Sequence, residues 1–535
     1  MLDTCPYEVR VSPQFGRYLV AARDLGPRET IISEDPVIEG PTDEPGNIPL
    51  CLGCCAKLTE NQYSRCSKCH FPLCGVSCEQ GSLHAAAECK IFQGNHVSFP
   101  PPHTKHVLNK SIIILRCLLL KNSSDKKWDQ LMTMSDNNES RRNRPNCIIA
   151  DERILENLRH FLPSREGEDD DEKEDKATAM MTFDTQEVIR LSGILDVNAH
   201  AFPFKGGDGK VIASKCHIYF KTSLIAHSCS PNASWAADKA SKTRLVIRTN
   251  VPIGKGDLIC VAYDDSDLLY GTLRRLIPME VSGMFICKCA RCVDPTEFGT
   301  FLSALKCQEC PRGYLLSLNP TNSFSEWKCN SCARVVEEVY ISQVINELER
   351  AVGLPKKDLL TEPDSRDDVV LLKEYVDEFA GSELHPNHYI IQEVNLRIVR
   401  ALCYSLQDLG KDELDDFLQR CAALLRIGDV LIPGFGEFRA FVAYHYFRGL
   451  LAYQENAPIS FLSSKADKAG AKTDLQKFLA RYKLILQLQT EVVTFLLEKF
   501  ALTSPRVKYV QETMEFVKEQ IKILERASSS SSSEE

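Results

Sequence analysis

The spacing of hydrophobic and polar positions changes character along the chain. The first fifty residues and the segment from about 190 to 265 are rich in β-branched residues punctuated by Gly and Pro, which predicts short strands joined by turns. Between about 104 and 162 the apolar positions follow helical spacing instead, as in Ile154, Leu158 and Leu162. The pattern therefore predicts a β-rich fold that is interrupted in sequence by a helical segment.

The C-terminal third of the chain has a helical pattern almost throughout. Ile341, Ile345 and Leu348 lie on one face at i, i+4 and i+7 spacing. The last helix is predicted to begin at Pro505, with Ser504 as its N-cap. Successive helices with short connections indicate an αα-repeat array of the tetratricopeptide kind, although no consensus of about 34 residues repeats.

Polar and charged stretches separate these regions. Ser135 to Asn146 predicts a loop, and Ser528 to Glu535 predicts a disordered tail. The acidic run from Glu166 to Lys176 is interpreted as a solvated, disordered loop, with a docking site for a basic partner as the alternative.

Composition and charge narrow the class of protein. Hydrophobic content of 44% and charged content of 26% are ordinary for a soluble globular chain. The net charge of −9 argues against strong direct binding to nucleic acid, which needs a basic surface. The first residues do not have the pattern of a signal peptide, and the apolar run Ile112 to Leu120 is interrupted by Arg116 and too short to span a bilayer. We therefore expect a soluble intracellular protein without a membrane segment.

The chain contains 23 cysteines, too many to leave unexplained in an intracellular protein. Disulfides are rare in that compartment, so spaced groups of cysteines indicate thiolate zinc ligands instead. Fifteen cysteines fall into such groups. We expect the others to be buried small hydrophobes or incidental thiols: Cys5, Cys55, Cys117, Cys147, Cys216, Cys260, Cys403 and Cys421.

The first cysteine-dense segment runs from Cys51 to Cys89 and contains four close pairs of ligands. These pairs are Cys51 and Cys54, Cys66 and Cys69, Cys74 and Cys78, and His84 and Cys89. Eight ligands suffice for two closed tetrahedral zinc sites, which would stabilise a segment too short to have a core of its own.

Two further groups follow. Cys307, Cys310, Cys329 and Cys332 form a complete set with two residues inside each pair, the spacing of a structural zinc ribbon. The group Cys287, Cys289 and Cys292 is one ligand short of a structural site. Its fourth ligand must come from elsewhere in the chain.

The heptapeptide Ala226-His227-Ser228-Cys229-Ser230-Pro231-Asn232 resembles the signature of SET-type lysine methyltransferases. Together with the Cys51–Cys89 module and the cysteine cluster that follows, it makes the chain similar to the SET and MYND domain (SMYD) family. The extra Cys307–Cys332 ribbon and the altered first residue, Ala226, make it similar to the arthropod SmydA-like group of that family. The resemblance implies a multidomain α+β protein: a β-rich SET fold split by a MYND zinc finger and a helical insertion, a post-SET zinc cluster and zinc ribbon, and a C-terminal all-α TPR-like domain. The implied divisions are the N-terminal part of SET at 1–50, MYND at 51–89, the insertion at 90–185, core SET at 186–268, post-SET and ribbon at 269–335, helical domain at 336–527 and tail at 528–535.

The same resemblance assigns the zinc ligands. It implies that the MYND pairs interleave, and the two implied ligand sets are Cys51, Cys54, Cys74 and Cys78, and Cys66, Cys69, His84 and Cys89. It also implies that Cys229 completes the post-SET site. The chain would then hold about four zinc ions.

The resemblance further implies a site for S-adenosylmethionine and a substrate lysine. Tyr263 matches the catalytic tyrosine of the family. The positions implied to contact the cofactor are Gly16, Arg17, Asn198, His227 and Phe285. The segment Leu384 to His388 matches the family's entry into a C-terminal helix, a structural role.

Two positions depart from the family pattern. Tyr18 stands where the cofactor loop usually has a second glycine, and its side chain would either occupy cofactor space or point outward. Ala226 stands where the heptapeptide usually begins with asparagine, so an amide is missing. An unpaired buried polar group costs roughly 1–3 kcal/mol, which corresponds to about tenfold to a hundredfold in affinity.

Three functions follow from these residues. The first is a protein-lysine methyltransferase of weak activity acting on histone or non-histone lysines in transcriptional regulation and chromatin. The second is a catalytically impaired adaptor whose MYND finger binds proline-containing peptides of corepressors such as histone deacetylases. The third, a zinc-dependent DNA binder, is disfavoured by the acidic charge. We expect a monomer present in both nucleus and cytoplasm.

Overall fold

A computed structural model describes most of the chain. The described residues are 5–42, 50–58, 63–81, 83–86, 88–97, 107–162, 183–205, 211–238, 240–241, 243–264, 268–281, 285–354, 364–456, 468–499, 502 and 504–530. The predicted acidic loop, Glu166 to Lys176, and residues 531–535 of the predicted tail lie outside this set.

Most strands lie in the two segments predicted from their β-branched residues, at the beginning of the chain and from position 200 onward, and two short ones lie inside the Cys51–Cys89 module. These strands are β1 (Tyr7–Ser12), β2 (Gly16–Ala21), β3 (Thr30–Glu34), β4 (Ile38–Pro41), β5 (Ser64–Arg65), β6 (Pro72–Leu73), β7 (His200–Lys205), β8 (Val211–Ile218), β9 (Ala226–His227), β10 (Ala233–Ala237), β11 (Leu245–Thr249) and β12 (Cys260–Val261). Residues 190–198, predicted to be β-like, belong instead to a helix, because Val188, Leu191 and Leu195 are buried at helical spacing.

Small sheets join the two halves of this β-rich part. Strand β3 pairs with β11 in the order β10-β11-β3, and β4 pairs with β8 in the order β4-β8-β7, all antiparallel. Strands β9 and β12 are parallel, with Ala226 opposite Cys260 and His227 opposite Val261. The heptapeptide therefore runs alongside the strand that leads to Tyr263.

Helices fill the interval between the halves and follow the second half. They are α1 (Val76–Gln80), α2 (Leu83–Ala86), α3 (Cys89–Gly94), α4 (Leu108–Ser123), α5 (Asp125–Met132), α6 (Asn138–Arg141), α7 (Pro145–Phe161), α8 (Thr185–Asn198), α9 (Thr272–Val281) and α10 (Ala290–Val293). The predicted loop at 135–146 contains the single turn α6. Its Arg141 is buried and donates hydrogen bonds to the Asp151 carboxylate and the Ser192 hydroxyl, which fixes a segment whose composition alone indicated a loop.

A four-stranded antiparallel sheet and a helical array complete the chain. The strands are β13 (Leu305–Lys306), β14 (Tyr314–Ser317), β15 (Trp327–Cys329) and β16 (Val335–Val336). The helices are α11 (Glu338–Ala351), α12 (Arg366–Phe379), α13 (Tyr389–Leu402), α14 (Lys411–Leu431), α15 (Glu437–Asn456), α16 (Lys468–Lys499) and α17 (Pro505–Ser530). Each helix from α12 to α16 contacts the next along the chain, the packing order of an αα-repeat array. Helix α17 begins at Pro505 as predicted and extends three residues into the predicted tail.

Separate hydrophobic cores underlie these parts. One lies among the strands of the β-rich part and includes Leu19, Ile32, Tyr219, Ile247 and Ile259. A second joins the Cys51–Cys89 module to α4, α7 and α8, so that segment packs on the helical insertion. The largest runs through the helices after position 338 and takes in the four-stranded sheet. Among the described residues, none of the helices combines the length and the apolar character needed to cross a membrane.

Candidate active site and zinc clusters

A cavity of about 1280 Å³ opens where the two halves of the β-rich part meet the helical insertion. The β1–β2 turn, the end of α5, the end of α8, the segment that enters the heptapeptide, and residues 285–289 all contribute walls. Among the described residues the lining includes Arg17 and Lys288 as cations and has no carboxylate. All six residues predicted to be catalytic or cofactor-contacting line it: Gly16, Arg17, Asn198, His227, Tyr263 and Phe285.

Three aromatic side chains pack against each other at one wall. The ring of His227 lies 5.1 Å from that of Tyr263 and 5.8 Å from that of Phe285, both edge-to-face. The Tyr263 and Phe285 rings are 6.1 Å apart. Edge-to-face packing is the favoured geometry for aromatic pairs, so the three rings fix one another's orientation.

Tyr263 is held by two hydrogen bonds, one from its hydroxyl and one from its backbone N–H. Its hydroxyl donates to the carbonyl oxygen of Ile225 at 2.9 Å, and its backbone N–H donates to Nδ1 of His227 at 3.1 Å. Tyr263 is 49% exposed, but this exposure is to the cavity that it lines. Burial of the phenol, and the negative charge of the nearby Cys287 sulfur as a thiolate, raise the pKa of Tyr263 to about 12, so the hydroxyl keeps its proton at neutral pH.

Gly16 and Arg17, which follow the β1–β2 turn, also line the cavity. Gly16 has a φ of +63°, a left-handed conformation that closes the three-residue turn and favours glycine. The Nη2 of Arg17 donates to the carbonyl and hydroxyl oxygens of Thr133, at 2.9 and 3.1 Å. Arg17 therefore connects the turn to the end of α5.

Tyr18 points away from the cavity. Successive side chains of a strand face opposite sides, and Arg17 takes the side that faces the cavity. The Tyr18 ring packs against Phe15, a residue of the lining, with ring centroids 5.4 Å apart, but Tyr18 itself does not belong to the lining. Of the two alternatives for Tyr18, the structure therefore selects the outward orientation.

Two other predicted positions have protein partners. The side-chain amide of Asn198 donates to the carbonyl oxygens of Ser135 and Ile194, at 2.8 and 2.9 Å, which leaves its Oδ1 as the atom available to a ligand. Ala226 lines the cavity with a methyl group where an amide was expected. The wall therefore has no side-chain amide at position 226 to hydrogen-bond with a ligand.

The predicted four-thiol cluster next to this wall is assembled. The sulfur atoms of Cys229, Cys287, Cys289 and Cys292 all lie within 4.8 Å of one another. This set has the composition of a structural zinc site and brings the heptapeptide together with the segment after α9.

A buried ion-pair network supports that cluster. Arg275 and Arg291 both donate to the Glu297 carboxylate, at 2.7 and 2.9 Å, and all three are almost fully buried. Arg291 also donates to the carbonyl oxygen of Cys229 at 3.0 Å, and Arg275 points Nη2 at the sulfur of Cys292 at 3.5 Å. Two cations and one carboxylate leave a net positive charge beside a set of thiolates.

The Cys51–Cys89 module contains two further four-ligand groups. They consist of Cys51, Cys54, Cys74 and Cys78, and of Cys66, Cys69, His84 and Cys89, with the ligand atoms of each group within 4.8 Å of one another. The structure thus brings together the interleaved sets that the resemblance implied. The remaining set, Cys307, Cys310, Cys329 and Cys332, is assembled on the four-stranded sheet. These four clusters could bind zinc, since their donor sets are those of closed zinc sites.

The sequence of this chain is similar to that of known SET domain proteins. Residues 16–264 match the family model described as SET domain. The chain is 28% identical over 322 residues to the SET domain-containing protein SmydA-8, isoform A, of Drosophila melanogaster, a match covering 60% of this chain and 63% of that relative. These matches support a SMYD-like SET protein of the SmydA group. It is also 25% identical over 340 residues to the Histone-lysine N-methyltransferase ASHR1 of Arabidopsis thaliana, covering 59% of this chain and 62% of ASHR1. The match thus spans less than two thirds of the length of either relative.

Two residues that support the cluster of Cys66, Cys69, His84 and Cys89 were not predicted from sequence. The Glu88 carboxylate accepts a hydrogen bond from Nδ1 of His84 at 3.1 Å and is paired with Arg116 of α4. Arg116 had served only to argue against a membrane segment. A charged residue inside the apolar run of α4 was the available signal that a buried carboxylate partner exists.

Proposed function

We propose that this protein is an S-adenosylmethionine-dependent protein-lysine methyltransferase of weak activity, acting on histone or non-histone lysines. The observation that carries the proposal is the position of Tyr263: it stands in the wall of a large cavity, beside His227 and Phe285 and next to the Cys229 cluster. Relatives named as SET domain-containing and histone-lysine methyltransferase proteins support the same class of reaction.

The reaction is a methyl transfer to a neutral amine. The lysine nitrogen forms a bond to the methyl carbon while the bond from that carbon to the sulfonium sulfur breaks, which yields S-adenosylhomocysteine, methyl-lysine and a proton. Alignment of the two reactants supplies much of the rate of such a displacement. The protein's part is therefore to hold the amine and the methyl donor in line and to exclude other orientations.

Tyr263 is suited to this positioning role. Because its hydroxyl proton is donated to Ile225, the phenol oxygen can only accept on its remaining side, towards an amine N–H or a polarised methyl group. The raised pKa of Tyr263 keeps the oxygen from becoming a competing nucleophile at neutral pH. The aromatic rings of His227 and Phe285 limit the directions from which a flexible lysine chain can approach.

The residues present fit the cofactor with one deficit. Ligand cavities typically measure about 300–1,000 Å³, so the space here accommodates a nucleoside-sized ligand together with a lysine side chain. Arg17 and Lys288 supply positive charge suited to a carboxylate. The deficit is Ala226, which offers no hydrogen bond to a polar ligand group, and this is the physical reason for proposing weak activity.

The experiment is a methyl-transfer assay with labelled S-adenosylmethionine on histone and total-protein substrates. The variants are Tyr263→Phe, which removes the hydroxyl, and Tyr404→Phe, a matched control at a tyrosine 77% exposed in the C-terminal part. We expect detectable transfer by the wild-type protein and the control, and a loss of about tenfold or more in Tyr263→Phe. Equal transfer by all three, or none by the wild type under saturating cofactor, contradicts the proposal.

We further propose the finer architecture and partners that the family resemblance implied. The Cys51–Cys89 module is a MYND-type finger, the Cys229 cluster a post-SET site, and α11–α17 a TPR-like domain, with about four zinc ions in total. The finger binds proline-containing corepressor peptides, such as those of histone deacetylase complexes, and the protein works as a monomer in nucleus and cytoplasm. Metal analysis of the purified protein, peptide titration and cell fractionation test these points separately.

Ala226 also favours a second function, that of an adaptor with an impaired cofactor site. In this case the finger and the helical array bind protein partners whether or not a cofactor is present. The discriminating measurement is peptide binding in the presence and absence of S-adenosylhomocysteine. Peptide affinity in a protein that binds no cofactor supports the adaptor, whereas cofactor binding with transfer supports the enzyme.

A further inference from the structure

The imidazole of His227 lies between the catalytic tyrosine and the four-thiol cluster. Its Nδ1 accepts the backbone N–H of Tyr263 at 3.1 Å, and its Nε2 lies 3.3 Å from the sulfur of Cys229. A neutral imidazole has one acceptor nitrogen and one N–H. Because Nδ1 accepts, the proton is on Nε2 and is directed at the Cys229 sulfur, which as a zinc ligand is a thiolate acceptor.

Surrounding contacts leave the ring little freedom. His227 is 8% exposed and packs edge-to-face against both Tyr263 and Phe285. Its backbone is held by the parallel pairing of β9 with β12, and the backbone N–H of the next residue, Ser228, donates to the carbonyl oxygen of Val261 at 3.0 Å. The ring therefore moves only if the heptapeptide or the strand before Tyr263 moves with it.

The Cys229 end of the connection is fixed as firmly. Arg291 holds the Cys229 carbonyl oxygen, and the buried Glu297 holds Arg291. A zinc ion shared by the four thiolates would fix the Cys229 sulfur relative to the segment after α9. The connection from the zinc ligand to the tyrosine then consists of the His227 ring and its two hydrogen bonds, one to the Cys229 sulfur and one from the Tyr263 backbone N–H.

We propose that His227 is a positioning residue that transmits the order of the Cys229 zinc site to Tyr263. Both ring nitrogens have protein partners, so the ring makes no hydrogen bond to the cofactor, and the binding contribution of this position is limited to its backbone and ring face. The role of Tyr263 in this statement rests on the proposed function, whereas the link between the cluster and the ring does not. One consequence is that metal loss from this cluster, unlike loss from the other three, loosens the tyrosine.

The first test reads the ring itself. In zinc-loaded protein labelled with [15N]histidine, the His227 signal is identified by its absence in the His227→Asn variant, with His160→Asn as the control for signal loss elsewhere. We expect the Nε2–H tautomer, and we expect the signal to change when a chelator strips the zinc. An Nδ1–H tautomer, or a His227 signal unaffected by zinc removal, overturns the proposal whether or not the protein is an enzyme.

The second test separates positioning from cofactor contact. In His227→Gln the side-chain amide reaches the Nε2 position and keeps a donor to the Cys229 sulfur. In His227→Asn the amide oxygen keeps an acceptor near the Nδ1 position for the backbone N–H of Tyr263. For both variants we expect the dissociation constant of S-adenosylhomocysteine to stay within about threefold of the wild type while kcat falls by about tenfold or more. The zinc of the Cys229 site should be released faster in His227→Asn than in His227→Gln, with circular dichroism and initial zinc content confirming that both fold.

The second test distinguishes a failure of the positioning role from a failure of the proposed function. If the wild type binds S-adenosylhomocysteine and both variants lose about tenfold or more in affinity with kcat unchanged, the ring contacts the cofactor and the proposal is wrong. If the wild type binds no cofactor, the proposed function fails, and the tautomer and zinc-release measurements still decide the positioning role.

Discussion

The Glu88 carboxylate accepts hydrogen bonds from Nη2 and Nε of Arg116, at 2.7 and 3.1 Å, in a site where neither side chain meets appreciable solvent. Glu88 also holds the Nδ1 of His84, and Arg116 donates to the carbonyl oxygens of Glu39 and Leu52. A ligand of the Cys66–Cys89 cluster is thereby connected to β4 and α4. Buried hydrogen bonds therefore link the Cys51–Cys89 module to both β4 and α4.

We predict that Glu88→Gln destabilises the protein and weakens the adjacent metal site. Burial alone disfavours the charge, but Arg116 and His84 outweigh it and hold the pKa of Glu88 below its usual value. Removing the carboxylate leaves Arg116 buried without its ion partner, which costs about 3–5 kcal/mol of unfolding free energy. Zinc affinity of the cluster should fall about 10–100-fold, as when other outer-shell carboxylates are lost. Chemical denaturation and zinc competition measure the two effects.

The control for this prediction is Glu515→Gln, at an exposed residue of α17 paired with Lys518. In the double variant Glu88→Gln, Arg116→Met we expect a smaller loss than the sum of the single losses, because the two residues share one interaction. Additive losses would show that the pair does not couple the finger to α4.

We predict that Cys229→Ser removes one zinc ion per molecule and loosens two segments together. The sulfur of Cys229 belongs to a set shared with the segment after α9, so its loss affects both the heptapeptide and residues 285–293. Metal analysis should show one ion fewer than in the wild type, and hydrogen exchange should rise in both segments. Cys5→Ser, at an exposed thiol outside the clusters, should change neither. An unchanged zinc count in Cys229→Ser would show that the four-ligand set is not a zinc site.

We predict that only one of the two positions that depart from the family pattern affects cofactor affinity. Ala226→Asn restores an amide at the cavity wall and should tighten S-adenosylhomocysteine binding about tenfold. Tyr18→Gly restores the family's glycine but should leave the affinity unchanged, because Tyr18 faces away from the cavity, and it should weaken the β1–β2 hairpin. Calorimetric titration of both variants checks this. Tighter binding by Tyr18→Gly with no effect of Ala226→Asn would reverse our account of the pocket.

We predict that His388 makes the fold less stable in mild acid. Full burial lowers the pKa of His388 to about 3, and its Nδ1 accepts the backbone N–H of Ile390 at the start of α13. Between about pH 6.5 and 3 the unfolded chain binds a proton at this position and the folded chain does not. The free energy of unfolding therefore falls as the pH is lowered, by up to about 1.4 kcal/mol per pH unit for this site.

The variant His388→Asn tests how much His388 contributes to the pH dependence of stability, because asparagine keeps a capping acceptor and does not titrate. Comparing the variant with the wild type at each pH cancels contributions that they share, including metal release from the cysteine clusters. We expect the difference in stability to change between pH 7 and 5 in favour of the variant. Parallel pH profiles would mean that His388 is protonated equally in both states.

The four cysteine-rich clusters show how much of this site could be predicted from the sequence. The ligands of each pair are only a few residues apart, so turn geometry brings them together and spacing alone identifies them. The interleaving of the module pairs and the partner of Cys287 depended on the family resemblance, since spacing leaves the pairing of distant groups open. The structure assembles all four sets.

Features that depend on distant packing were not predictable. Arg116 and Glu88 are 28 residues apart, and Glu297 meets Arg275 from 22 residues away, so no local pattern relates them. The direction of Tyr18 follows from the register that sets it opposite Arg10, and register is a property of the folded hairpin. The tautomer of His227 likewise depends on Tyr263, which lies 36 residues further along the chain.

The central claim is that the cavity beside Tyr263 binds the methyl donor, and calorimetric titration of the zinc-loaded protein with S-adenosylmethionine tests it most directly. The account predicts saturable binding of one cofactor per chain, of lower affinity than in the Ala226→Asn variant measured alongside. No heat of binding up to millimolar cofactor, in either protein, would contradict it.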